Sequence, residues 1–452
     1  MSDSGSIGDV GEPWEFDDPV PAYARARQGG RPLFLYWSAK WCPPCAEMQV
    51  TVLGRAPFRA RLTSMVPLAI DGDQPGAQAY GESVDADVYP SMLLLDAAAR
   101  VLIRMPCGLD VATFCAVIDA ALRRRTPIAE LAKVLCNDSR ALTLDDITLL
   151  AFHYWPLDKR VLTETARLPL LERVDAAALT VGSVVGSRAL IWHLIERAGR
   201  PTSDTPPALR NQLFGRFVEL LQSSNATFSI LYYVLVGLEP VLALLCGNDE
   251  TMREALRVPL CVALERFVED ATLTWTERLI AQSALVSLQS NPEPQGDESL
   301  RNKTRTLVAA ADTATDSQIE RQSVMNMAGH LLKQSGFREE SITLFRGEID
   351  KSPWPTYFMP YVAETYMELD EREEALRWWY RAYEETLGKT TRFELGVRHI
   401  AARVRYAPTE RAAIEQSVTR LLAEHGDDAD MGRGRMRKAL SLLTKTLAGW
   451  QP

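Results

Sequence analysis

Two cysteines separated by two residues are the strongest chemical signal in this 452-residue chain. Cys42 and Cys45 lie in the segment Trp41-Cys42-Pro43-Pro44-Cys45. A thiolate is the attacking species in thiol–disulfide exchange, and a second thiol close by can attack the mixed disulfide that the first one forms. The spacing therefore predicts a redox dithiol, with Cys42 as the nucleophile and Cys45 as the resolving thiol.

The sequence on either side predicts that this pair lies at a strand-to-helix junction. Residues 33–37 have the length and β-propensity of a buried strand, and residues 46–62 favour a helix broken near Gly54 and Pro57. The unpaired N–H groups of a first helical turn, and the positive end of the helix dipole, stabilise a thiolate. This position therefore favours a reactive Cys42.

Residues 17–125 resemble the thioredoxin superfamily. The Trp-Cys-Pro-Pro-Cys motif carries the resemblance, together with predicted strands at 65–70, 92–95 and 100–105, and Asp110 as the cap of a last helix ending near Arg124. The resemblance implies an α/β fold in the order βαβαββα and a cis peptide bond before Pro90. It also implies a substrate groove formed by Trp41, Pro43, Pro44, Tyr89, Pro90, Cys107 and Gly108.

Two positions depart from the family pattern. Thioredoxins have a buried aspartate six positions before the first cysteine, where it helps the second cysteine to lose its proton, but this chain has Tyr36 there. Tyr89 is bulkier than the residue that usually precedes the cis-proline. We therefore expect another proton acceptor for Cys45, and a groove that is narrower or that stacks on its substrate.

The remaining cysteines and the histidines allow other interpretations. Zinc needs three or four ligands, and no second Cys-x-x-Cys or close histidine pair accompanies Cys42 and Cys45, so we predict no metal site and no cofactor beyond the redox disulfide. Cys107 is either a small buried apolar residue or a third redox-accessible thiol. We assign packing roles to Cys115, Cys136, Cys246 and Cys261.

Beyond the first domain, long apolar-periodic segments separated by short polar breaks predict an all-α region. Helix starts are predicted at Thr143 and, with the spacing of a capping box, at Thr274. The turn-forming segment 291–296 separates two helical domains. The predicted organisation is therefore a flexible acidic N-terminus (1–16), a thioredoxin-like domain (17–125), a middle all-α domain (126–290) and a helical-repeat domain (297–452).

The last domain contains a repeat of 34 residues that resembles tetratricopeptide repeats. Small residues match small ones and large apolar residues match large ones at most aligned pairs, which include Gly329 with Ala363, Gly336 with Asp370 and Phe345 with Trp379, whereas Glu348 stands where a small residue is expected. The helices either hold a partner protein near Cys42 on a concave surface, or pack only on one another and on the first domain.

Charge and hydropathy exclude some classes of partner. The net charge of -9 gives no general attraction for phosphate backbones, and the basic cluster at 433–438 follows acidic residues and predicts a charge-balanced helix start. The apolar stretch 229–246 is interrupted by Glu239 and Pro240, so we expect two buried helices and no membrane span. Without a visible signal peptide we expect a cytoplasmic protein, or a periplasmic one if the start site is misassigned.

Together these observations predict a thiol-disulfide oxidoreductase that reduces protein disulfides. It would depend on an electron-donating reductase, and its helical region would recruit a protein client. The alternative is a chaperone-like or scaffold protein in which the redox pair is a sensor or a secondary activity.

Overall fold

The computed structural model describes residues 13–137, 142–158, 161–180, 183–289 and 298–450. The predicted interdomain segment 291–296 and residues 1–12 of the predicted flexible N-terminus lie outside these ranges. Five strands form one mixed sheet: β1 (Glu15–Phe16), β2 (Leu33–Ser38), β3 (Val66–Asp71), β4 (Ser91–Leu95) and β5 (Val101–Met105).

The sheet has the strand order β1-β3-β2-β4-β5. β1 and β2 run parallel to β3, whereas β4 is antiparallel to both β2 and β5. Every residue of β2 is buried, as expected for a central strand covered on both faces. The predicted α/β fold is confirmed. Glu15 and Phe16, which the sequence placed in the flexible N-terminus, add a short edge strand because they pair with β3.

Helices cover both faces of this sheet: α1 (Pro19–Gly29), α2 (Pro43–Met48), α3 (Ala56–Arg59), α4 (Ala77–Ser83) and α5 (Val111–Arg124). The predicted order βαβαββα runs from β2 onward, preceded by β1 and α1. A π-helical segment, Gln49–Leu53, continues α2 as far as Gly54, and Pro57 lies in the first turn of α3, so the predicted break is there. Asp110 caps α5 by accepting the Thr113 N–H.

The rest of the described chain is helical, as predicted. Nine α-helices follow α5 in the described residues up to 289: α6 (Ile128–Asn137), α7 (Leu144–Phe152), α8 (Glu164–Ala178), α9 (Ser183–Ala198), α10 (Pro207–Gln222), α11 (Phe228–Leu235), α12 (Leu238–Cys246), α13 (Glu250–Glu269) and α14 (Trp275–Gln289). The others are α15 (Glu298–Ala314), α16 (Gln318–Gln334), α17 (Arg338–Ile349), α18 (Met359–Glu368), α19 (Arg372–Glu385), α20 (Lys389–Tyr406), α21 (Arg411–His425) and α22 (Gly434–Ala448).

Both predicted helix starts have reciprocal caps. Thr143 accepts the Asp146 N–H while the Asp146 carboxylate accepts the Thr143 N–H, and Thr274 and Glu277 make the same pair of bonds. The 34-residue period corresponds to two helix pairs, α16 with α17 and α18 with α19. Their turns contain Gly336 and Asp370, both at positive φ. Since aspartate tolerates the left-handed conformation better than most residues, it can replace glycine here.

The apolar residues form two large cores. One lies between one face of the sheet and helices that include α5 to α9, and the other runs through α9 to α22. A smaller third core lies between the other face of the sheet and helices α1 and α4. We call α10 to α22, residues 207–448, the helical region. Within the described ranges no single helix is long and apolar enough to cross a membrane. Helices α11 and α12 meet that criterion only as a pair, bent by 85°.

Candidate active site

The two cysteines lie where β2 leads into α2. Cys42 is the N-cap of α2, Pro43 and Pro44 fill its first turn, and the Cys45 N–H donates to Cys42 Sγ over 3.3 Å. Proline is tolerated at these positions because the first N–H groups of a helix have no intrahelical acceptor. The two sulfurs form a disulfide, and Cys42 and Cys45 are only 2% and 1% exposed.

The predicted groove residues differ in burial and contacts. The Tyr89–Pro90 peptide bond is cis, as the resemblance implied, and Pro90 is buried. The rings of Trp41 and Tyr89 meet edge to face, with centroids 5.7 Å apart. Pro43 is buried and Pro44 exposed, while Trp41, Tyr89, Cys107 and Gly108 are half-buried. Each of these residues stays a predicted site residue.

The second cysteine lacks the usual buried aspartate, and Tyr36 occupies that position. The Tyr36 hydroxyl donates to the backbone carbonyl of Cys45 over 3.0 Å, and burial raises its pKa, so it stays protonated and is no base at neutral pH. Asp71 lies on the same face of the sheet as Tyr36. Tyr36 pairs with Ala69 and Ser38 pairs with Asp71, and residues two positions apart in a strand point to the same face. Burial, with a contribution from Asp73, raises the pKa of the Asp71 carboxyl to about 7.

Cys107 has an environment that disfavours its thiolate. Burial raises the pKa of the thiol to about 12. The Cys107 N–H donates to the Tyr233 hydroxyl over 2.9 Å. Cys107, Cys115, Cys246 and Cys261 are all free thiols, whereas the side chain of Cys136 lies outside the described structure. Cys107 therefore packs as a protonated thiol next to the groove.

The helical region contacts Trp41, the residue that precedes Cys42. The Gln322 side-chain amide of α16 donates to the Trp41 carbonyl over 2.8 Å. The Ser352 hydroxyl donates to the oxygen of the same amide. The Tyr357 ring stacks on the Trp41 indole, with centroids 5.8 Å apart and an interplanar angle of 21°. Trp41, which the resemblance placed in the substrate groove, thus packs on the chain's own helical region.

A charged cluster fixes the other edge of the Trp41 ring. The indole N–H donates to the Asp73 carboxylate over 2.7 Å, and the backbone N–H and hydroxyl of Thr391 donate to the same carboxylate. The Arg435 guanidinium lies over the Tyr89 and Trp41 rings, 4.6 and 5.3 Å from their centroids. Arg435 pairs with Glu394 of α20, so that the cation on these rings has a counter-charge.

The opposite side of the groove is covered by α11. A Cβ atom added to Gly108 would lie 2.5 Å from the Tyr232 ring, so the ring rests on the backbone of a residue at φ +73° that has no side chain. The Ser229 hydroxyl accepts the Asp110 N–H over 3.3 Å. Both predicted groove residues at this end, Cys107 and Gly108, therefore contact the helical region.

One carboxylate of α2 links the redox helix to two helices of the helical region. Glu47 accepts from the Thr274 hydroxyl, 2.8 Å away, and from the Ser323 hydroxyl, 2.9 Å away. Between these contacts remains a cavity of about 100 Å³. Its walls include Pro43, Pro44, Cys107, Gly108, Tyr232 and Met327.

The outer rim of this interface is polar. Asp430 accepts the N–H groups of Gly76 and Ala79 at the start of α4. Arg437 pairs with Glu82 and Lys438 with Asp87. The basic cluster at 433–438 therefore lies at the helix start that the sequence predicted, and its charges pair with the first domain except for Arg435, which pairs with Glu394.

Sequence reasoning missed the residues of the helical region that contact the groove. Gln322, Tyr357, Thr391 and Arg435 lie 280 or more positions from Cys42, and no local spacing connects them to it. The one available signal is that Gln322 and Ser323 are polar residues at buried positions of α16. Within the described ranges, no group of three or more histidine, cysteine, aspartate or glutamate residues is placed to hold a metal ion.

Comparison with a family model agrees with this geometry. Residues 20–97 match the model of a family described as thioredoxin-like. A solved structure titled "DsbH Oxidoreductase" is similar to this chain with 18% sequence identity and a TM-score of 0.23; the match covers 28% of this chain and 95% of that one. No curated protein matches. With its mixed sheet, its Cys-Pro-Pro-Cys disulfide at a helix start and this family match, the N-terminal part of the chain is a thioredoxin-like domain.

Proposed function

We propose that the protein is a thiol-disulfide oxidoreductase that reduces disulfides in protein substrates. The observation that carries the proposal is the Cys42–Cys45 disulfide at the start of α2, next to the cis Tyr89–Pro90 bond, in a thioredoxin-like domain. A pair that closes into a disulfide without a long chain movement can pass two electrons to a substrate and be reduced again.

In the proposed reaction the Cys42 thiolate attacks one sulfur of the substrate disulfide. The substrate S–S bond breaks, its other sulfur leaves as a thiolate, and Cys42 is joined to the substrate. Cys45, once deprotonated, attacks Cys42 Sγ and releases the second substrate thiolate. The substrate gains two electrons, and the dithiol becomes the disulfide. A dithiol donor, in the cell a reductase, then restores the two thiols.

The helical region would hold the protein client in this proposal. Tetratricopeptide-like helix pairs provide extended surfaces for such contacts. The reducing direction requires a compartment that keeps the donor reduced, which fits the expected cytoplasmic location.

The test is turnover of a protein disulfide such as that of insulin, with dithiothreitol as the electron donor. Cys42→Ser should abolish turnover, because the remaining thiol of the pair, Cys45, cannot begin the exchange. Cys45→Ser should accumulate a mixed disulfide with the substrate, visible by non-reducing electrophoresis. Cys261→Ser, which removes a buried thiol of α13, is the matched control and should keep wild-type turnover.

The opposite outcome is equally clear. Wild-type protein without turnover, which still prevents aggregation of an unfolded client, would overturn the oxidoreductase proposal in favour of the chaperone-like or scaffold function. The same anti-aggregation assay on Cys42→Ser would then show whether the redox pair acts as a sensor.

A further inference from the structure

The groove that a protein disulfide must enter is occupied by the chain itself. On one side of the redox pair Tyr357 stacks on Trp41, and on the other side Tyr232 lies against Gly108. Arg435 lies over Tyr89, the residue before the cis-proline. Cys42 is only 2% exposed with these contacts in place, so they leave little room for a substrate disulfide to reach Cys42 Sγ.

We propose that the helical region is an intramolecular cover of the redox site, and that exchange at Cys42 proceeds only after the cover opens. The inference rests on the proposed function for its purpose, since it assigns Cys42 as the reacting atom. It concerns regulation of that site: a substrate protein must displace the cover from Trp41, Tyr89 and Gly108 before it can bind there.

The contacts of the cover suit reversible opening. Several of its connections to the first domain are hydrogen bonds and ion pairs, such as Gln322 to the Trp41 carbonyl, Asp430 to the start of α4, and Arg437 to Glu82. In water such groups exchange their partners for solvent at modest cost in free energy.

Packing also favours separation of the two surfaces. The interface retains a cavity of about 100 Å³, so its apolar parts are not closely packed throughout. Most of the helical region's apolar residues belong to a core that also takes in Leu190, Ile191 and Leu194 of α9, and an opening limited to the groove leaves most of that core buried.

The test is the labelling rate of Cys42 in the reduced, full-length protein, read by mass spectrometry of the Cys42 peptide. Two reagents are used, a small maleimide and the same maleimide attached to a polyethylene glycol chain. Each rate is divided by the rate in unfolded protein, which gives a protection factor. If the cover opens as a whole, both reagents should show the same protection, because both wait for the same opening.

Loosening the cover should raise both rates together. Gln322→Ala removes the hydrogen bond to the Trp41 carbonyl and should raise labelling about fivefold, as expected for one hydrogen bond of ordinary strength. The double variant Gln322→Ala/Asp430→Ala should raise it further. Gln334→Ala is the matched control: it lies on the same helix, but it bonds Ser283 and Ser287 within the helical region, so labelling should not change.

Three results would overturn the proposal that the helical region covers the redox site. Wild-type Cys42 could react as fast as in unfolded protein. The small reagent could react quickly while the large one does not, which would indicate a size filter in a closed site. Labelling could also respond equally to Gln322→Ala and Gln334→Ala. None of these readouts needs turnover, so a gated Cys42 in a protein that reduces no disulfide would refute the proposed function and leave the cover in place.

Discussion

At the scale of single residues, two buried side chains on one face of the sheet, Tyr36 and Asp71, have raised pKa values. Tyr36 cannot take the proton of Cys45, because burial keeps its hydroxyl protonated. Asp71 is the buried carboxyl on the same face of the sheet, and it is 4% exposed. Its pKa of about 7 lies far above the ordinary value of 3.8, mainly because burial disfavours its charged form.

Asp71 therefore makes stability depend on pH in a defined direction. Between pH 3.8 and about 7 the Asp71 carboxyl keeps its proton in the folded state but has lost it in the unfolded state. The free energy of unfolding is therefore highest below pH 3.8, as far as Asp71 is concerned, and falls as the pH rises to about 7. Asp71→Asn removes this loss. As the pH rises through that range, the free energy of unfolding of the variant should increase relative to that of wild type by on the order of a few kcal/mol. Above that range the difference should be constant.

Urea denaturation at a series of pH values measures this difference. Asp350→Asn, which removes an exposed carboxylate, is the control. Curves for wild type and Asp71→Asn that run parallel from pH 4 to 8 would show that Asp71 titrates normally in the folded protein.

Cys107 gives a second prediction at this scale. With its pKa at about 12 instead of 9.0, its thiolate is roughly a thousandfold rarer near neutral pH than that of an ordinary cysteine. In a Cys42→Ser/Cys45→Ser background, alkylation of Cys107 should be slow at pH 7 and should still rise at pH 10. A rate that levels off near pH 9 would instead support the interpretation of Cys107 as a third redox-accessible thiol.

At the scale of secondary-structure elements, the 34-residue period has a steric basis. Gly329 of α16 faces the Phe345 ring of α17, and a Cβ atom there would lie 2.2 Å from the ring. Glu348, which the repeat pattern did not favour, is 3% exposed and pairs with Arg321 of α16. A buried ion pair thus takes the place of the expected small residue, and its partner comes from the other helix of the pair.

This steric fit can be tested with two glycines of the same helix pair. Gly329→Ala should destabilise the protein by about 1–3 kcal/mol, because the methyl group overpacks the helix crossing. Gly347→Ala is the matched control, since nothing lies within 4 Å of its added Cβ. It should stabilise the protein by roughly 0.5–1 kcal/mol through helix propensity. Denaturant unfolding measures both, and equal effects of the two variants would contradict the proposed role of the crossing.

At the scale of the whole molecule, the rim of the cover is electrostatic. The Arg437–Glu82 and Lys438–Asp87 pairs bring the start of α22 onto α4 and the loop after it, and both basic side chains are more than half exposed. Salt weakens such pairs because the screening length shortens as ionic strength rises. The opening of the cover should therefore be easier in salt.

Labelling of reduced Cys42 tests this expectation. Raising the salt concentration from about 0.05 to about 0.5 M should increase the rate a few-fold in wild type, given the modest strength of exposed ion pairs. Arg437→Ala/Lys438→Ala should label faster at low salt and respond less to added salt. Arg411→Ala, which removes an ion pair within α21, should behave as wild type.

The sequence by itself determined the chemistry and the local structure. The spacing of Cys42 and Cys45, the β-propensity of 33–37 and the caps at Asp110, Thr143 and Thr274 act over a few residues, so they predicted the dithiol, the first domain and the helix starts. Only the tertiary structure decided that Tyr357, Arg435 and Tyr232 lie on the groove. Those contacts join residues more than a hundred positions apart, and they depend on how the helices stack, which no local pattern encodes.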